Sequence, residues 1–537
     1  MNDTSRVPEF FQAAHELSER ITAGDVTLDH LKGSFMDPDV PAQPVCVQEY
    51  LAWLGREVLP YTVNVSSKKF VGHMTSALPD FLPEVSALVA ALNQNMVKVE
   101  TSKSFTLLER QLVAMLHKEL FGGAEHHDRI QDPHHVFGLV VSGGSSANIT
   151  ALWNARNRAL LELGFTKSEI VGCGAFELLR QRGYDGFAII TSSLAHYSIR
   201  KAASLLGIGE RDVLFLKQDA RSKVDIGDLE IKLELCRRKR LLPIAIVGIA
   251  GATETGTIDP LVEMGEIASR HHVHFHVDAA WGGALIFSDK YRGMLEGIER
   301  ADTITLCPHK QLYTPQGISL CLFKDSTAVH ASSVQAAYQG REGSFDSGQY
   351  TLEGSRSAIF LCLHAMLCVL SKRGIAELVE QGIEKTRRLA EAIAAHPAFQ
   401  VIGTPEINIL NYRYLPRSVR HKSSHSPEEN RLISAAVTKI QERQFLEGRT
   451  FVSRTEMLSE RHCTHKITVF RVVIANPLTT HEDLLETLAD QLEIAGKHVE
   501  RANEGTPHGG RPALTPQVRD ALRIEWPEID EISEMRS

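Results

Sequence analysis

Apolar side chains recur at helical spacing through the first hundred residues. They lie three or four positions apart over residues 10–21 and again over residues 47–58, which predicts two amphipathic helices. A longer helix is predicted over residues 81–97. The next helix is predicted to begin near Thr106, because the run from Thr106 to Glu109 matches a capping box.

From residue 137 the pattern changes to short apolar runs that alternate with helical segments. The runs are almost continuously apolar, which is typical of strands buried on both faces of a parallel sheet. Seven strands are predicted, at Phe137–Val141, Phe187–Thr191, Val213–Leu216, Ile244–Ile249, His274–Val277, Thr303–Leu306 and Ile318–Phe323. The pattern therefore predicts an α/β protein with a mostly parallel sheet flanked by helices.

Beyond Gly374 a long helix is predicted to run to Pro397. A smaller α+β domain is predicted after it, with a strand over 407–412, a helix over 428–445, a strand over 466–475 and a last helix over 481–502. The chain is thus divided into four parts, at residues 1–100 (N-terminal helices), 101–385 (large domain), 386–503 (small domain) and 504–537 (a flexible tail rich in Gly and Pro).

Composition narrows the class of protein. The 537 residues are 43% hydrophobic and 23% charged, with a net charge of −8, so nothing favours binding to nucleic acid or to an anionic membrane. The start of the chain lacks the pattern of a signal peptide, and no apolar run approaches the roughly 18–20 residues of a membrane span. The eight cysteines are scattered, which predicts reduced core residues. A cytoplasmic protein is expected.

Polar side chains follow five of the predicted strands, and parallel strands place such groups at one edge of the sheet. Two glycines and three serines follow the first strand at residues 142–146, where a helix start suits a phosphate. Taken alone, a plain strand-to-helix turn is an equally good interpretation. The other strand ends lead to His196, Thr253, Asp278 and Lys310.

This set of groups suits pyridoxal 5′-phosphate better than any other common cofactor. A lysine amine bonds to its aldehyde, and a buried carboxylate pairs with its pyridinium nitrogen. The phosphate needs a helix start, and the flat ring needs a side chain to stack on. A single Asp or Lys at a strand end is usually structural, but five strand ends that agree indicate a cofactor site.

Five stretches resemble the group II pyridoxal-phosphate-dependent decarboxylases in order and spacing. They read SGGSSANITALWNARN, SSLAHYSIRKAASLLGIG, GATETGTIDP, HVDAAWGGA and PHKQLYTPQG. The resemblance spans residues 71–492 and implies a fold type I enzyme. Within the family, FVGHMTSALP, ALNQN, TSKSFTLLERQ and TLEGSR look most like the bacterial pyridoxal-dependent aspartate 1-decarboxylases.

The resemblance implies a role for individual residues. Lys310 would hold the cofactor, His196 would stack on its ring, and Asp278 would bind its pyridine nitrogen. The remaining cofactor contacts are implied for Ala280 beside the ring, Thr253 near Asp278, and Gly144, Ser145 and His309 at the phosphate. Arg471 would bind the substrate α-carboxylate, and Thr75 falls in a segment that lines the substrate pocket.

The proton donor to the product carbanion is left open. Family members place a tyrosine on a mobile loop, and the loosely matching region here offers Tyr338 and Tyr350. Where glutamate decarboxylases would suggest a tyrosine, Phe345 stands instead. His196 is a further candidate for this role.

Other kinds of site are less well supported. The histidines at 271, 272, 274 and 276 are interpreted as structural, because no Cys or Glu completes a metal site and a buried parallel strand leaves none open. No metal is expected. Residues 142–146 do not form a G-x-S-x-G elbow, and no P-loop motif occurs, so hydrolase and P-loop functions are not favoured.

The resemblance implies α-decarboxylation of an L-amino acid, with L-aspartate giving β-alanine, a pantothenate precursor, and carbon dioxide. L-Glutamate giving γ-aminobutyrate is the alternative, followed by diaminobutyrate or an aromatic amino acid. Another reaction of fold type I, such as transamination, and a non-catalytic regulator are the other classes. A homodimer is implied, with the sites and the N-terminal helices at the subunit interface.

Overall fold

The computed structural model describes residues 21–22, 26–123, 127–334, 343–459 and 463–500. Most of the helix predicted over residues 10–21 lies outside this part. The first five helices of the described chain are α1 (Leu28–Leu31), α2 (Val47–Glu57), α3 (Leu82–Leu92), α4 (Val99–Ser102) and α5 (Ser104–Phe121). Helix α2 confirms the prediction for residues 47–58.

Two predictions for this region were wrong in detail. Helix α3 stops at Leu92 because Asn93 adopts a left-handed conformation with φ of 43° and ends it. Helix α5 begins at Ser104 without a side-chain cap. Thr106 instead lies inside the helix and bonds Ser102 through its hydroxyl at 2.6 Å. The predicted capping box is therefore absent.

A seven-stranded sheet forms the centre of the molecule, in the order β1-β7-β6-β5-β4-β2-β3. All strands are parallel except β7, which runs antiparallel to β1 and β6. The strands are β1 (Gly138–Val141), β2 (Gly186–Ser192), β3 (Val213–Leu216), β4 (Leu241–Ile249), β5 (His274–Asp278), β6 (Thr303–Leu306) and β7 (Ser319–Phe323). The predicted mostly parallel sheet is confirmed, and its strands are buried as their apolar runs require.

Helices cover the sheet and continue into the second half of the chain. They are α6 (Gly144–Glu162), α7 (Lys167–Cys173), α8 (Ala175–Gln181), α9 (Tyr197–Leu205), α10 (Ile226–Arg238), α11 (Leu261–Arg270), α12 (Phe360–Val369), α13 (Ser371–Ala395), α14 (Pro427–Glu447) and α15 (His481–Ala495). Within the described ranges, no helix combines the length and the apolar character that crossing a membrane requires.

A second, antiparallel sheet has the order β10-β11-β9-β8. Its strands are β8 (Phe399–Ile402), β9 (Ile409–Tyr414), β10 (Ser453–Ser459) and β11 (Cys463–Val473). The sequence predicted β9 and β11 but missed β8 and β10. Strand β10 reads SRTEMLS and is set by its pairing with β11, which no local apolar pattern reveals.

Helix α13 links the two sheets. Its first half packs Ile375, Val379 and Ile383 into the core around the seven-stranded sheet. Its last turns pack Leu389 and Ile393 into the core of the second sheet. The boundary predicted between residues 385 and 386 falls inside this continuous helix, so we retain the four-part division as a proposal.

The cysteines differ in how deeply they are buried. Four of them are buried, as the sequence predicts, at Cys236, Cys307, Cys321 and Cys362. Three others are exposed, at Cys46, Cys173 and Cys368. The prediction of core cysteines is therefore wrong for these three, because they lie at or near the ends of surface helices.

A buried ion pair ties helix α5 to the segment before α12. Both nitrogens of the Arg356 fork donate to the Glu109 carboxylate at 2.6 Å, and the two side chains are only 4% and 10% exposed. We expect Glu109→Gln to lower the free energy of unfolding by about 3–5 kcal/mol, because it leaves a buried guanidinium without its counter-charge. Urea denaturation of the purified protein measures this change.

Helix α5 supplies a matched control. Glu119 pairs with Lys372 at 2.7 Å, but these side chains are 31% and 45% exposed. The same change, Glu119→Gln, should cost no more than about 1 kcal/mol. Equal losses in the two variants would show that burial of the Glu109 pair contributes nothing.

Candidate active site

A cavity of about 280 Å³ lies at the carboxyl edge of the seven-stranded sheet. The parallel strands β1, β2, β4, β5 and β6 all end at this edge, so the groups that follow them converge there. The residues lining the cavity are Ser142, Gly143, Gly144, Ser145, Asn148, Leu194, His196, Ile249, Gly251, Thr253, Asp278, Ala280, Trp281, Cys307, His309, Lys310 and Gln316.

One end of the cavity is the start of helix α6. Gly143 precedes the helix without a side-chain cap, which leaves backbone amides directed at the cavity. A Cβ on Gly144 would approach the Cys307 sulfur to 2.8 Å, so a side chain there would collide with it. The hydroxyls of Ser142 and Ser146 donate to Glu353 at 2.6 and 2.8 Å. Among the described residues, the donors without a partner at this end are the backbone amides of residues 143–146 and the Ser145 hydroxyl.

The middle of the cavity contains the buried carboxylate of Asp278. One oxygen accepts a hydrogen bond from the Ala280 backbone at 3.1 Å, and the other accepts from the Asn148 side-chain amide at 2.9 Å. Both bonds fix the orientation of the carboxylate. Its oxygens are thereby held at the cavity wall.

His196 stands at the end of strand β2, where it caps helix α9. Its Nδ1 lies 2.8 Å from the Ser198 hydroxyl and accepts from the Ser198 backbone at 3.3 Å. Burial lowers the pKa of His196 and Asp278 opposes this, while Lys310 and Lys201 reinforce it. The ring is therefore neutral near pH 7.

Lys310 and His309 follow strand β6. Both line the cavity, and the His309 Nδ1 lies 2.8 Å from the carbonyl of Ile318, to which it donates. Burial lowers the pKa of His309, the bond to Ile318 raises it, and Lys310 lowers it further. With Nδ1 occupied by the carbonyl, Nε2 is the nitrogen that remains for the cavity.

Arg471 is not a wall residue of the cavity but contacts one. Its guanidinium donates to the carbonyl of Thr253 at 3.2 Å, to that of Gly72 at 3.4 Å and to the Ser453 hydroxyl at 3.1 Å. Burial lowers the pKa of Arg471, and Glu254 opposes this. Three distant parts of the chain therefore meet at this one side chain.

Thr75 lies in the same segment as Gly72. Its hydroxyl is 3.2 Å from the His73 Nδ1, and both Arg471 and Lys310 contribute, after burial, to the lowered pKa of His73. The segment thus passes close to both cations. The fold brings Thr75 towards the site, although the residue does not line the cavity.

The two tyrosines considered as proton donors have separate outcomes. Tyr338 lies outside the described residues. Tyr350 is buried away from the cavity, with its hydroxyl 3.3 Å from the His330 Nδ1. It lines a separate cavity of about 40 Å³ together with Arg110 and Phe345. Within one chain, Tyr350 is therefore not at the site.

Sequence reasoning missed several polar residues of the site, among them Asn148 and Ser198. Both are buried, and the Asn148 amide donates to the Ser198 hydroxyl at 2.9 Å. One signal was available for Asn148, since it shares a face of α6 with the apolar Leu152 and Ala155. A polar residue on a buried helix face needs a partner.

The histidines of strand β5 contact neighbouring polar groups rather than a metal site. His274 bonds the Thr303 hydroxyl at 2.8 Å, and His276 bonds Asn148 at 3.1 Å. Burial lowers the pKa of both rings, so they are neutral. Over the described ranges, no three His, Cys, Asp or Glu side chains form a cluster suited to a metal ion.

These residues fit pyridoxal 5′-phosphate. The uncapped start of α6 offers donors for the phosphate, and Asp278 offers a buried carboxylate for a ring nitrogen. Lys310 supplies an amine on the same cavity wall, and His196 supplies a flat ring.

Comparison with known proteins agrees with this geometry. Residues 35–415 match the model of the pyridoxal-dependent decarboxylase conserved domain. The chain is 42% identical over 486 residues to the aspartate 1-decarboxylase of Aliivibrio fischeri, with 89% of each chain covered. It is 28% identical to the acidic amino acid decarboxylase GADL1 of Xenopus tropicalis, over 84% of this chain and 83% of that one.

The fold is also that of solved structures. The crystal structure of mouse CSAD superposes with a TM-score of 0.78 at 24% identity. The match covers 91% of this chain and 99% of that chain. The predicted fold type I architecture is therefore confirmed.

Proposed function

The chain belongs to the family of pyridoxal-dependent decarboxylases, which are carboxy-lyases that use pyridoxal 5′-phosphate to decarboxylate amino acids, and we propose that the substrate of this protein is L-aspartate. The products would be β-alanine and carbon dioxide. The observation that carries this proposal is the 42% identity, over nearly the whole chain, to a relative named aspartate 1-decarboxylase. L-Glutamate is the second candidate, because one methylene is worth only about 1–3 kcal/mol of discrimination.

The proposed roles follow from the cavity walls. Lys310 would anchor the cofactor through its amine, and residues 143–145 with His309 would hold its phosphate. Asp278 would pair with the ring nitrogen, and His196, Ala280 and Thr253 would border the ring. When bound, the cofactor supplies an electron sink for the pair left on Cα as carbon dioxide departs.

The substrate would lie between the cavity and the second sheet. Arg471 already donates to two backbone carbonyls at 3.2 and 3.4 Å, and a carboxylate is a stronger acceptor for the same fork. We propose that Arg471 holds the substrate α-carboxylate and that Thr75 borders the bound substrate. The reaction breaks the bond from Cα to this carboxylate, and one proton then replaces it on Cα.

The substrate assignment is tested by offering aspartate, glutamate, diaminobutyrate, tyrosine and cysteine sulfinate to the purified holoenzyme. We expect β-alanine and carbon dioxide from aspartate, with kcat/KM at least about tenfold above that for glutamate. Mass spectrometry identifies the products. A higher kcat/KM for any other amino acid would overturn aspartate, and keto acid without carbon dioxide would overturn decarboxylation.

The same assay tests Arg471. Arg471→Lys keeps the positive charge but loses the two-nitrogen fork, so KM should rise by about tenfold or more. Arg454→Lys is the matched control, because Arg454 lies on the neighbouring strand and its guanidinium donates to helix α14. An unchanged KM in Arg471→Lys would remove this residue from the substrate site.

We further propose that the protein is a homodimer. Helix α2 leaves Val47, Tyr50, Leu51 and Trp53 between 38% and 68% exposed, an apolar surface that a second copy would cover. Light scattering should then give a mass near twice 59.5 kDa. A mass of one chain at micromolar concentration would contradict the proposal.

A further inference from the structure

A buried chain of hydrogen bonds connects Asp278 with His196. It begins at the Asp278 carboxylate, which only accepts hydrogen bonds when ionised. The Asn148 atom 2.9 Å from it must therefore be the amide nitrogen. The opposite orientation of the amide would place two acceptor oxygens against each other. The carboxylate thus fixes which way the Asn148 side chain points.

The other N–H of the Asn148 amide donates to the Ser198 hydroxyl at 2.9 Å. The Ser198 oxygen is thereby used as an acceptor, and its own hydrogen is free for the His196 Nδ1 at 2.8 Å. The backbone N–H of Ser198 donates to the same nitrogen at 3.3 Å. With two donors directed at it, the His196 Nδ1 is an acceptor and carries no proton.

The far side of Asn148 contacts His276, whose tautomer follows from the same orientation. The carbonyl oxygen of the Asn148 side chain lies 3.1 Å from the His276 Nε2, which must donate. The His276 Nδ1 then accepts from the Thr303 hydroxyl at 2.9 Å, and the Thr303 carbonyl oxygen lies 3.2 Å from the same nitrogen. From Asp278 through Asn148 and Ser198 to His196, every donor meets an acceptor.

We infer that Asn148 and Ser198 are positioning residues, which lock His196 as the neutral tautomer with its proton on Nε2. Across the described ranges, Nε2 has no protein partner, and His196 lines the cavity. The one ring proton of His196 is therefore held towards the space where the cofactor and substrate bind. The charge of Asp278 sets this placement through two side chains.

Ser198 also resists protonation of the ring. Adding a proton at Nδ1 would set it against the hydroxyl and backbone hydrogens of Ser198. The charged groups facing the ring are Asp278, Lys310 and Lys201, and the Tyr197 ring packs against it at 4.1 Å between centroids. Removing the Ser198 hydroxyl changes none of these groups.

The test is nitrogen NMR of protein labelled with ¹⁵N-histidine and freed of cofactor, with His196→Gln used to assign the His196 signals. We expect the ring nitrogens of the wild type to give the pattern of an Nε2–H tautomer at neutral pH. In Ser198→Ala, Nδ1 should become protonated at a pH about half a unit to one unit higher. Ser204→Ala, an exposed change on the same helix, should leave both signals unmoved.

An Nδ1–H tautomer in the wild type would overturn the inference without any variant. A titration in Ser198→Ala identical to the wild type would overturn the role of Ser198. The tautomer of His196 follows from hydrogen bonds within the protein alone. Only the use of its Nε2 proton in the reaction rests on the proposed function. Because the signals come from cofactor-free protein, failure here is distinct from failure to decarboxylate aspartate.

Discussion

Lys310→Ala is expected to abolish the visible absorbance of the cofactor-loaded protein and to lower kcat by at least about 10³-fold. The lysine is the one amine on the wall of the cavity described here, so no other side chain can replace its bond to the cofactor aldehyde. Loss of an acid–base group alone costs about 10²–10⁴-fold, and this variant loses the covalent anchor as well. Absorbance spectra and steady-state assays with saturating cofactor measure both effects.

Lys239→Ala is the matched control, since Lys239 is exposed and precedes the start of strand β4, at the edge of the sheet opposite to the site. It should keep the wild-type spectrum and turnover. Wild-type protein that stays colourless with added cofactor, or a Lys310→Ala variant that retains the absorbance, would contradict the assignment of Lys310.

Asp278→Asn is expected to lower kcat by about 10²–10³-fold, the usual cost of removing one preorganised electrostatic partner. The replacement has the same shape but no charge, so the ring nitrogen of the cofactor loses the group that keeps it protonated. Affinity for the cofactor should fall too. Titration of cofactor-free protein, followed by absorbance, measures this affinity, and assays with saturating cofactor measure kcat.

The comparison variant is Asp289→Asn, whose side chain is 94% exposed. It should leave kcat and cofactor affinity within twofold of the wild type. Full activity in Asp278→Asn would show that the carboxylate has no part in the reaction. A loss seen equally in both variants would point to a general effect of net charge.

The sequence determined the sheet and its contents. Buried parallel strands need continuous apolar runs, and the runs at residues 213–216 and 303–306 match strands β3 and β6 to the residue. Asp278 was found because it directly follows such a run, and Lys310 because it comes four residues after the end of one. Strand order brings them together, and any parallel sheet collects its strand ends at one edge.

Tertiary structure decided the contacts between groups far apart in the chain. Strand β10 exists through its partner β11, and Arg356 meets Glu109 across 247 positions. Arg471 meets Gly72 across 399 positions. The local sequence pattern does not predict such pairs, because each pair is stabilised by a partner that only the folded chain brings near.

The distinction is sharpest for His196. The sequence placed this histidine after a predicted strand, and the resemblance to the decarboxylase family implied that it stacks on the cofactor ring. Which nitrogen carries its proton depends on Asp278, Asn148 and Ser198, which come from three separate elements. Sequence determined which chemical groups reach the site, because strand ends are a local property. The fold decided which nitrogen of His196 carries the proton, because hydrogen bonds form only between atoms about 3 Å apart.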